Sequence, residues 1–384
     1  MASQPRLKIA LIGLGRLGAI RARILAFQQP RIELVAACDT KPGSDEFVTQ
    51  NLPPSVKYYA DPEDCMKNSG AQAVLISTAT ATHAPLICLA LDLGLHVMCE
   101  KPIAVDVITT EEVLAKAKSK PHLKFLVPFC RRYDDSYRAA KELVEKGELG
   151  EIHAVETTCL DQQDPTGFFV TFSAQSGGIF VDMGVHDVSL LLMLIIQMYA
   201  NTKDQIDIGR YYLNVTSGLK NPKKQVNRVI AMGQQAVYGE LAKYGDCDNG
   251  WAMVEFANGK VLTSHLGRTL TNGFESCTRV CGTKAHSVVN GNSTINRVEI
   301  RDGHGVRTAT TPDAFVLYDK SFINDLAELA TAVLDGKPLT CTPDDAYEAA
   351  KIATALQYSF RNGVPVFFDD EGQPIMEVPK TSGN

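Results

Sequence analysis

Apolar residues in the first third of the chain come in short, nearly continuous runs, at Leu7–Ile12, Ile32–Ala37, Val56–Tyr59, Ala73–Ser77, His96–Cys99 and Lys124–Phe129. Such runs suit strands that are covered on both faces, because neither side needs polar residues. Between several of them the apolar spacing changes to three and four residues, which predicts helices over Arg16–Phe27, His83–Leu93 and Val107–Ala117. Strand and helix in alternation predict βαβ units, and hence a doubly wound parallel sheet with helices on both faces.

Beyond Phe129 the rhythm changes. A helix is predicted over Ser136–Glu145, closed by Lys146-Gly147, and is followed by a strand over Ile152–Thr158 and a polar loop with Asp161, Asp164 and Pro165. Asn258-Gly259 between Gly250–Ala257 and Lys260–Arg268 predicts a hairpin, since this dipeptide accepts the positive φ of a tight turn. Strands are also predicted near Arg279–Cys281 and Arg297–Arg301, and helices over Phe322–Leu334 and Pro343–Asn362. The 384 residues are enough for two cores. We expect one domain over residues 1–129 and an α+β domain over residues 130–384 with a large, mostly antiparallel open sheet.

Composition narrows the class. Hydrophobic residues make up 45% and charged residues 21%, as in soluble globular proteins. A net charge of −6 without a basic run argues against nucleic acid as a partner. The N-terminus has no basic and apolar leader, and the apolar segment Val188–Ile196 is shorter than the ~20 residues needed to cross a bilayer. It reads as a buried helix, and the chain as cytoplasmic, with no membrane association. Ten cysteines are scattered without a CxxC pair, so neither a metal site nor a disulfide framework is expected.

Three stretches carry candidate chemistry. The first is Gly13-Leu-Gly15-Arg-Leu-Gly18, between the first strand and the first helix. Gly13 permits a tight turn, Gly15 admits a pyrophosphate against the backbone, and Gly18 lets helix and strand approach. Asp39 ends the second strand, where a carboxylate accepts both ribose hydroxyls and repels a 2′-phosphate, which favours NAD over NADP. The pattern is that of a Rossmann domain. The second stretch is Glu100-Lys101-Pro102 after the fifth strand; taken alone it is either a surface lysine before a proline turn or a group facing the nicotinamide. The third contains Asp182 and His186, four apart and so on one face of a helix. They are either a structural hydrogen-bonded pair or an acid–base pair.

These stretches together resemble the glucose–fructose oxidoreductase and inositol dehydrogenase (Gfo/Idh/MocA) family, along almost the whole chain. The resemblance includes the glycine turn, Ser77-Thr-Ala-Thr-Ala-Thr-His83, Glu100-Lys101-Pro102, Gly177-Gly178 with Asp182 and His186, and Gly282-Thr283-Lys284. Cys130-Arg131-Arg132-Tyr133-Asp134 is similar to the inositol dehydrogenase branch.

The resemblance implies catalytic roles for Lys101, Asp182 and His186. It implies cofactor contacts from Gly13, Gly15, Arg16, Leu17, Gly18, Asp39, Thr78, His83, Glu100 and Lys101, and substrate contacts from Arg131, Asp161, Asp164 and Tyr244. It implies an NAD-dependent dehydrogenase that oxidises a secondary hydroxyl of a cyclic polyol or sugar, working as a homodimer or homotetramer. Aldose oxidation, reduction of a related substrate and a non-catalytic nucleotide-binding regulator are the other activities found within such a family. The sequence departs from the branch at Cys130, Leu160, Ala285 and the stretch between Gln197 and Lys224.

Overall fold

The computed structural model describes residues 5–189, 224–292 and 294–376. The apolar run beyond Ser189 and the stretch between Gln197 and Lys224 therefore lie mostly outside the described residues. Two compact units are present: Met1–Asp135 with Tyr318–Tyr347, and Ser136–Leu317 with Glu348–Asn384.

In the first unit, strands β1 (Leu7–Ile12), β2 (Ile32–Cys38), β3 (Lys57–Tyr59), β4 (Ala73–Ile76), β5 (His96–Cys99) and β6 (Phe125–Leu126) form a parallel sheet in the order β3-β2-β1-β4-β5-β6. Ile9 lies opposite Leu34 on one side and Ala73 on the other, and the interior strands β1, β4 and β5 have almost no exposed side chain. Each fully buried aliphatic side chain there contributes roughly 1.5–3 kcal/mol relative to exposure. The strand order reverses direction between β1 and β4, which opens a crevice beyond their carboxyl ends. Edge strand β6 is shorter than the apolar run predicts. It pairs with β5 only at Phe125 and Leu126, and Pro128, which has no N–H to give, follows closely.

A single cut after Phe129 does not describe this grouping. The helix Ser321–Leu334 packs with the first sheet's helices, because Arg21 sits in the buried stripe of the helix Arg16–Phe27 and its guanidinium forks onto Asp325 at 2.7 and 2.8 Å. Gln29 Nε2 donates to the Ile323 carbonyl at 2.7 Å, and Asn324 Nδ2 to that of Tyr133 at 2.8 Å.

The second unit is built on a sheet of β7 (Ile152–Gln162), β8 (Val226–Gln234), β9 (Asn249–Phe256), β10 (Val261–Leu270), β11 (Glu275–Gly282), β12 (His286–Val289) and a short β15 (Val366–Phe367). Their order is β12-β11-β7-β10-β9-β8-β15. All neighbours are antiparallel except β7 and β10. The Asn258-Gly259 hairpin forms as predicted, with Gly259 at φ +83° and Val261 opposite Glu255. Strand β7 runs four residues past the predicted end at Thr158, through Asp161, because β10 and β11 hold it on both sides. A separate hairpin, β13 (Thr294–Asp302) and β14 (Gly305–Thr310), follows β12.

One face of the large sheet is buried through Val229, Ala252, Val254, Leu262 and Leu266. The opposite face presents Ile230, Met232, Trp251 and Met253 to solvent, with Trp251 stacked on His265 at 4.6 Å. Among the described residues, no helix is long and apolar enough to cross a membrane.

Candidate active site

In the first unit, the end of β1 forms a cradle dictated by its glycines. Gly13 has φ +100°, and a Cβ on it would lie 2.4 Å from the Ser77 carbonyl oxygen; a Cβ on Gly18 would lie 2.1 Å from the Gly13 carbonyl. Those two glycines close the helix onto the strands. Gly15 is different: it is the N-cap of the helix Arg16–Phe27, makes no side-chain cap, and a Cβ there would meet nothing within 4 Å. Arg16 and Leu17 form the first turn beside that open space, and no acidic residue enters it. A helix start of this kind, open and uncapped, fits a diphosphate.

Asp39, at the end of β2, accepts hydrogen bonds from the Leu14 N–H at 2.6 Å and from the Lys41 N–H at 2.8 Å. Its carboxylate is thereby fixed next to the glycine turn, where a ribose fits. After β4, the hydroxyls of Thr78 and Thr82 are hydrogen-bonded to each other at 2.7 Å. His83 is buried, with Nδ1 2.7 Å from the Pro102 carbonyl oxygen and Nε2 3.2 Å from that of Thr78. Both ring nitrogens therefore face carbonyl acceptors. The ring thus ties the loop after β4 to the turn after β5, which is how His83 bears on the cofactor cradle.

That turn carries Lys101. Glu100 precedes it and accepts from Arg21 Nε at 2.9 Å. Arg21 is fully buried, donates also to the Phe322 carbonyl at 3.1 Å and lies 4.8 Å above the Phe322 ring. Burial works against its charge, but Asp325 and Glu100 more than offset this and raise its pKa. Burial pushes Asp325 up to about 6 even with the guanidinium beside it. The Cys130 thiol is pushed up to about 11, chiefly by burial and against the pull of the Arg131 and Lys101 charges, so these two cations share its surroundings. Arg131 itself is buried in the short helix Cys130–Tyr133.

In the second unit, Asp182 ends the helix Ile179–Asp182, and a second helical run begins at residue 184. The interruption at Met183 departs from the continuous helix expected across Asp182 and His186; the His186 N–H donates to the Met183 carbonyl at 3.1 Å. The start of this segment is pinned. Asp246 Oδ1 accepts from the Ile179 N–H at 2.9 Å and Gln357 Oε1 from the Phe180 N–H at 3.2 Å. Gly178 has φ +108°, which disfavours any residue with a side chain, and a Cβ on it would also lie 2.4 Å from the Gln357 amide.

The Asp182 carboxylate accepts from Arg268 Nη2 at 2.7 Å, an interaction the sequence reading did not anticipate. Arg268 is almost fully buried, and its guanidinium lies 4.8 Å from the Phe169 ring centroid.

The proposed substrate residues in this unit differ in what they do. Asp161 lies on β7, half-buried. Asp164 is committed to its own loop: Oδ1 accepts from the Thr166 hydroxyl at 2.6 Å and its N–H at 2.9 Å, and the pKa is lowered chiefly by that hydroxyl. Tyr238 Oη joins the Asp164 backbone at 2.7 Å. Tyr244 closes the 3₁₀ turn Gly239–Tyr244 and is half-buried, with the Lys243 ammonium 4.9 Å above its ring. Among the described residues, no group of three His, Cys, Asp or Glu side chains is arranged to hold a metal ion.

Comparison with known proteins identifies two family models. Residues 7–127 match an oxidoreductase family model described as an NAD-binding Rossmann fold, and residues 137–288 match the GFO/IDH/MocA C-terminal domain. Scyllo-inositol 2-dehydrogenase (NAD(+)) of Bacillus subtilis is 28% identical over 364 residues, covering 95% of this chain and 97% of that protein. The crystal structure of scyllo-inositol dehydrogenase from Lactobacillus casei with bound cofactor NAD(H) and scyllo-inositol superimposes with a TM-score of 0.82 at 26% identity, covering 94% of this chain and 99% of the other. That of myo-inositol 2-dehydrogenase from Lactobacillus plantarum gives a TM-score of 0.83 at 28% identity, covering 95% and 100%.

Proposed function

Because the chain belongs to the GFO/IDH/MocA oxidoreductase family, with its NAD-binding Rossmann fold, we propose that it is an NAD-dependent dehydrogenase that oxidises a secondary ring hydroxyl of a cyclic polyol, an inositol in the first place. The observation that carries this reading is the pairing of an open, uncapped helix start at Gly15 with a fixed carboxylate at Asp39, in a chain whose relatives over most of its length include inositol dehydrogenases.

The proposed roles follow from the chemistry of each group. His186 takes the proton of the hydroxyl as general base. Lys101 donates a hydrogen bond to the same oxygen and stabilises the negative charge that develops as the O–H and C–H bonds break and the carbonyl forms. Asp182, anchored by Arg268, orients the ring, and Arg131, Asp161 and Tyr244 contribute further contacts to its hydroxyls. NAD, when bound, supplies the acceptor for the carbinol hydrogen and its electron pair. Glu100 and the Thr78–His83 loop frame the cofactor.

The exposed apolar face of the large sheet supports assembly as a homodimer or homotetramer. Composition supports a soluble cytoplasmic enzyme without nucleic-acid or membrane partners.

The test is nicotinamide reduction by the purified protein with NAD and NADP separately, across inositol isomers and common aldoses. Turnover of an inositol with NAD is expected. Turnover of an aldose alone would move the substrate but keep the chemistry. Tight NAD binding with no turnover of any polyol or aldose would replace the enzyme reading with that of a binding protein.

A further inference from the structure

We propose that Arg21, Asp325 and His83 act as positioning residues for Lys101, clamping the turn that carries it from both sides and tying its placement to the NAD cradle. The inference rests on the reading of Lys101 as the group that bonds the reacting oxygen.

A lysine side chain is long and flexible, so where its ammonium goes depends on how firmly its backbone is held. Lys101 sits between two anchored neighbours. On one side the Glu100 carboxylate is held by Arg21 Nε at 2.9 Å. Arg21 is itself held by both oxygens of Asp325 and by the Phe322 carbonyl, so none of its bonds can swing without breaking another. On the other side the Pro102 carbonyl is held by His83 Nδ1 at 2.7 Å.

Packing alone does not call for this arrangement. A buried ion pair is replaceable by apolar residues of similar volume at little or no loss of stability. What a planar fork adds is direction. Here it runs from Asp325 through Arg21 to Glu100, one residue from the ammonium.

The clamp also starts from cofactor-binding elements. Arg21 lies on the helix whose first turn follows Gly15, less than two turns away. His83 follows the loop that leaves β4 and faces the Thr78 carbonyl. The frame that receives the diphosphate therefore also sets the lysine, independently of the substrate. Displacing a catalytic group by ~1 Å costs about 100-fold in rate.

The experiment compares the full-length enzyme with the double variant Arg21→Leu/Asp325→Leu, with Arg21→Lys, with His83→Phe and with Lys101→Ala. It measures NAD affinity by calorimetry, kcat and KM, and the primary deuterium isotope effect on kcat with the inositol isomer turned over fastest, deuterated on its ring carbons. For the double variant we expect NAD affinity within about 3-fold of wild type, kcat lower by about 100-fold, and a larger isotope effect as the chemical step becomes limiting; for His83→Phe we expect the same fall in kcat and rise in isotope effect at saturating NAD. Arg21→Lys, which keeps one cation but loses the fork, is expected to lie between, about 10-fold down.

A kcat within about 3-fold of wild type in the double variant and in Arg21→Lys overturns the clamp. So does a loss of activity that only follows the loss of folded protein, with KM and isotope effect unchanged. If the double variant does not fold, Arg21→Lys decides on the same readouts. Lys101→Ala separates the two levels. Wild-type turnover in it overturns the role of the lysine and the clamp together, whereas an inactive Lys101→Ala beside an unimpaired double variant overturns the clamp alone.

Discussion

Arg268 and Asp182 form a single short contact, 2.7 Å from Nη2 to the carboxylate, in which the arginine is 1% exposed and the aspartate 21%. The remaining guanidinium nitrogens, Nε and Nη1, are buried and have no hydrogen-bond partner among the described residues. Nearly all the polar interaction of this cation is therefore spent on one carboxylate, with the Phe169 ring covering it.

Arg268→Lys retains the charge but not the reach or planarity of the fork, and Arg268→Met removes both. Turnover is expected to fall about 10-fold in the first and about 100-fold in the second, since a carboxylate displaced by ~1 Å from its working position costs about that much in rate. Steady-state kinetics with circular dichroism as a control for folding checks this. Unimpaired kcat/KM in Arg268→Met would show that Asp182 needs no anchor.

Asp39 is expected to set the coenzyme preference. Asp39→Ser removes the charge that repels a 2′-phosphate and the acceptor for the Leu14 N–H. We expect kcat/KM for NAD to fall by about 10- to 100-fold and for NADP to rise, so that the two approach each other. Parallel assays with the two coenzymes measure it, and a preference for NAD as strong as that of wild type would place the discrimination elsewhere.

Asp248 is one of the carboxylates through which the second unit responds to acid. Burial raises its pKa, but the N–H groups of Tyr238, Ala236 and Val237 lower it more, and the net value lies below that of an ordinary carboxylate. As pH falls, the unfolded chain takes up the proton first. The stabilisation by Asp248 is thus complete above about pH 4 and disappears as pH drops through the lower, folded value. Asp248→Asn should cost about 1–3 kcal/mol at neutral pH, and the gap between variant and wild type should close below pH 4. Urea unfolding at neutral and acidic pH tests both parts, and a gap independent of pH would remove the carboxylate from the account.

The open sheet face predicts its own test. Met232→Glu with Met253→Lys places charges on two neighbouring strands of an otherwise apolar surface. Sedimentation should show a wild-type oligomer and a mainly monomeric variant with an unchanged circular dichroism spectrum. A monomeric wild type would assign that face another purpose.

Much of this architecture is legible in the chain because burial on both faces leaves a plain mark. The first sheet was predicted strand by strand from uninterrupted apolar runs, and the glycine turn from its place between strand and helix. The second unit was read less fully. Strand β8 alternates buried and exposed positions, but its outward residues include Ile230 and Met232 between Arg228 and Gln234, so the polar half of the alternation is interrupted. The helix Phe168–Ser176 was hidden behind a loop rich in turn-forming residues.

The missed site residues did leave a signal. Arg268 falls in phase with Leu262, Ser264 and Leu266 on the inward side of β10, and Arg21 with Gly18, Ala22 and Leu25 on the inward stripe of its helix. A cation in the inward phase requires a buried carboxylate, although the pattern alone does not say which one. Asp325 and Asp182 lie 304 and 86 residues away from their partners, a separation that periodicity does not register.

The return of the helix Ser321–Leu334 to the first unit has a consequence for how the protein is made. The N-terminal core leaves the ribosome well before Asp325 does, so Arg21 spends that interval without the carboxylate that lets it be buried. At about 5–20 residues per second the wait is roughly 10–40 s, far longer than the time in which local helices and turns form. A domain that looks N-terminal in the order of its strands therefore finishes among the last parts of the chain to fold.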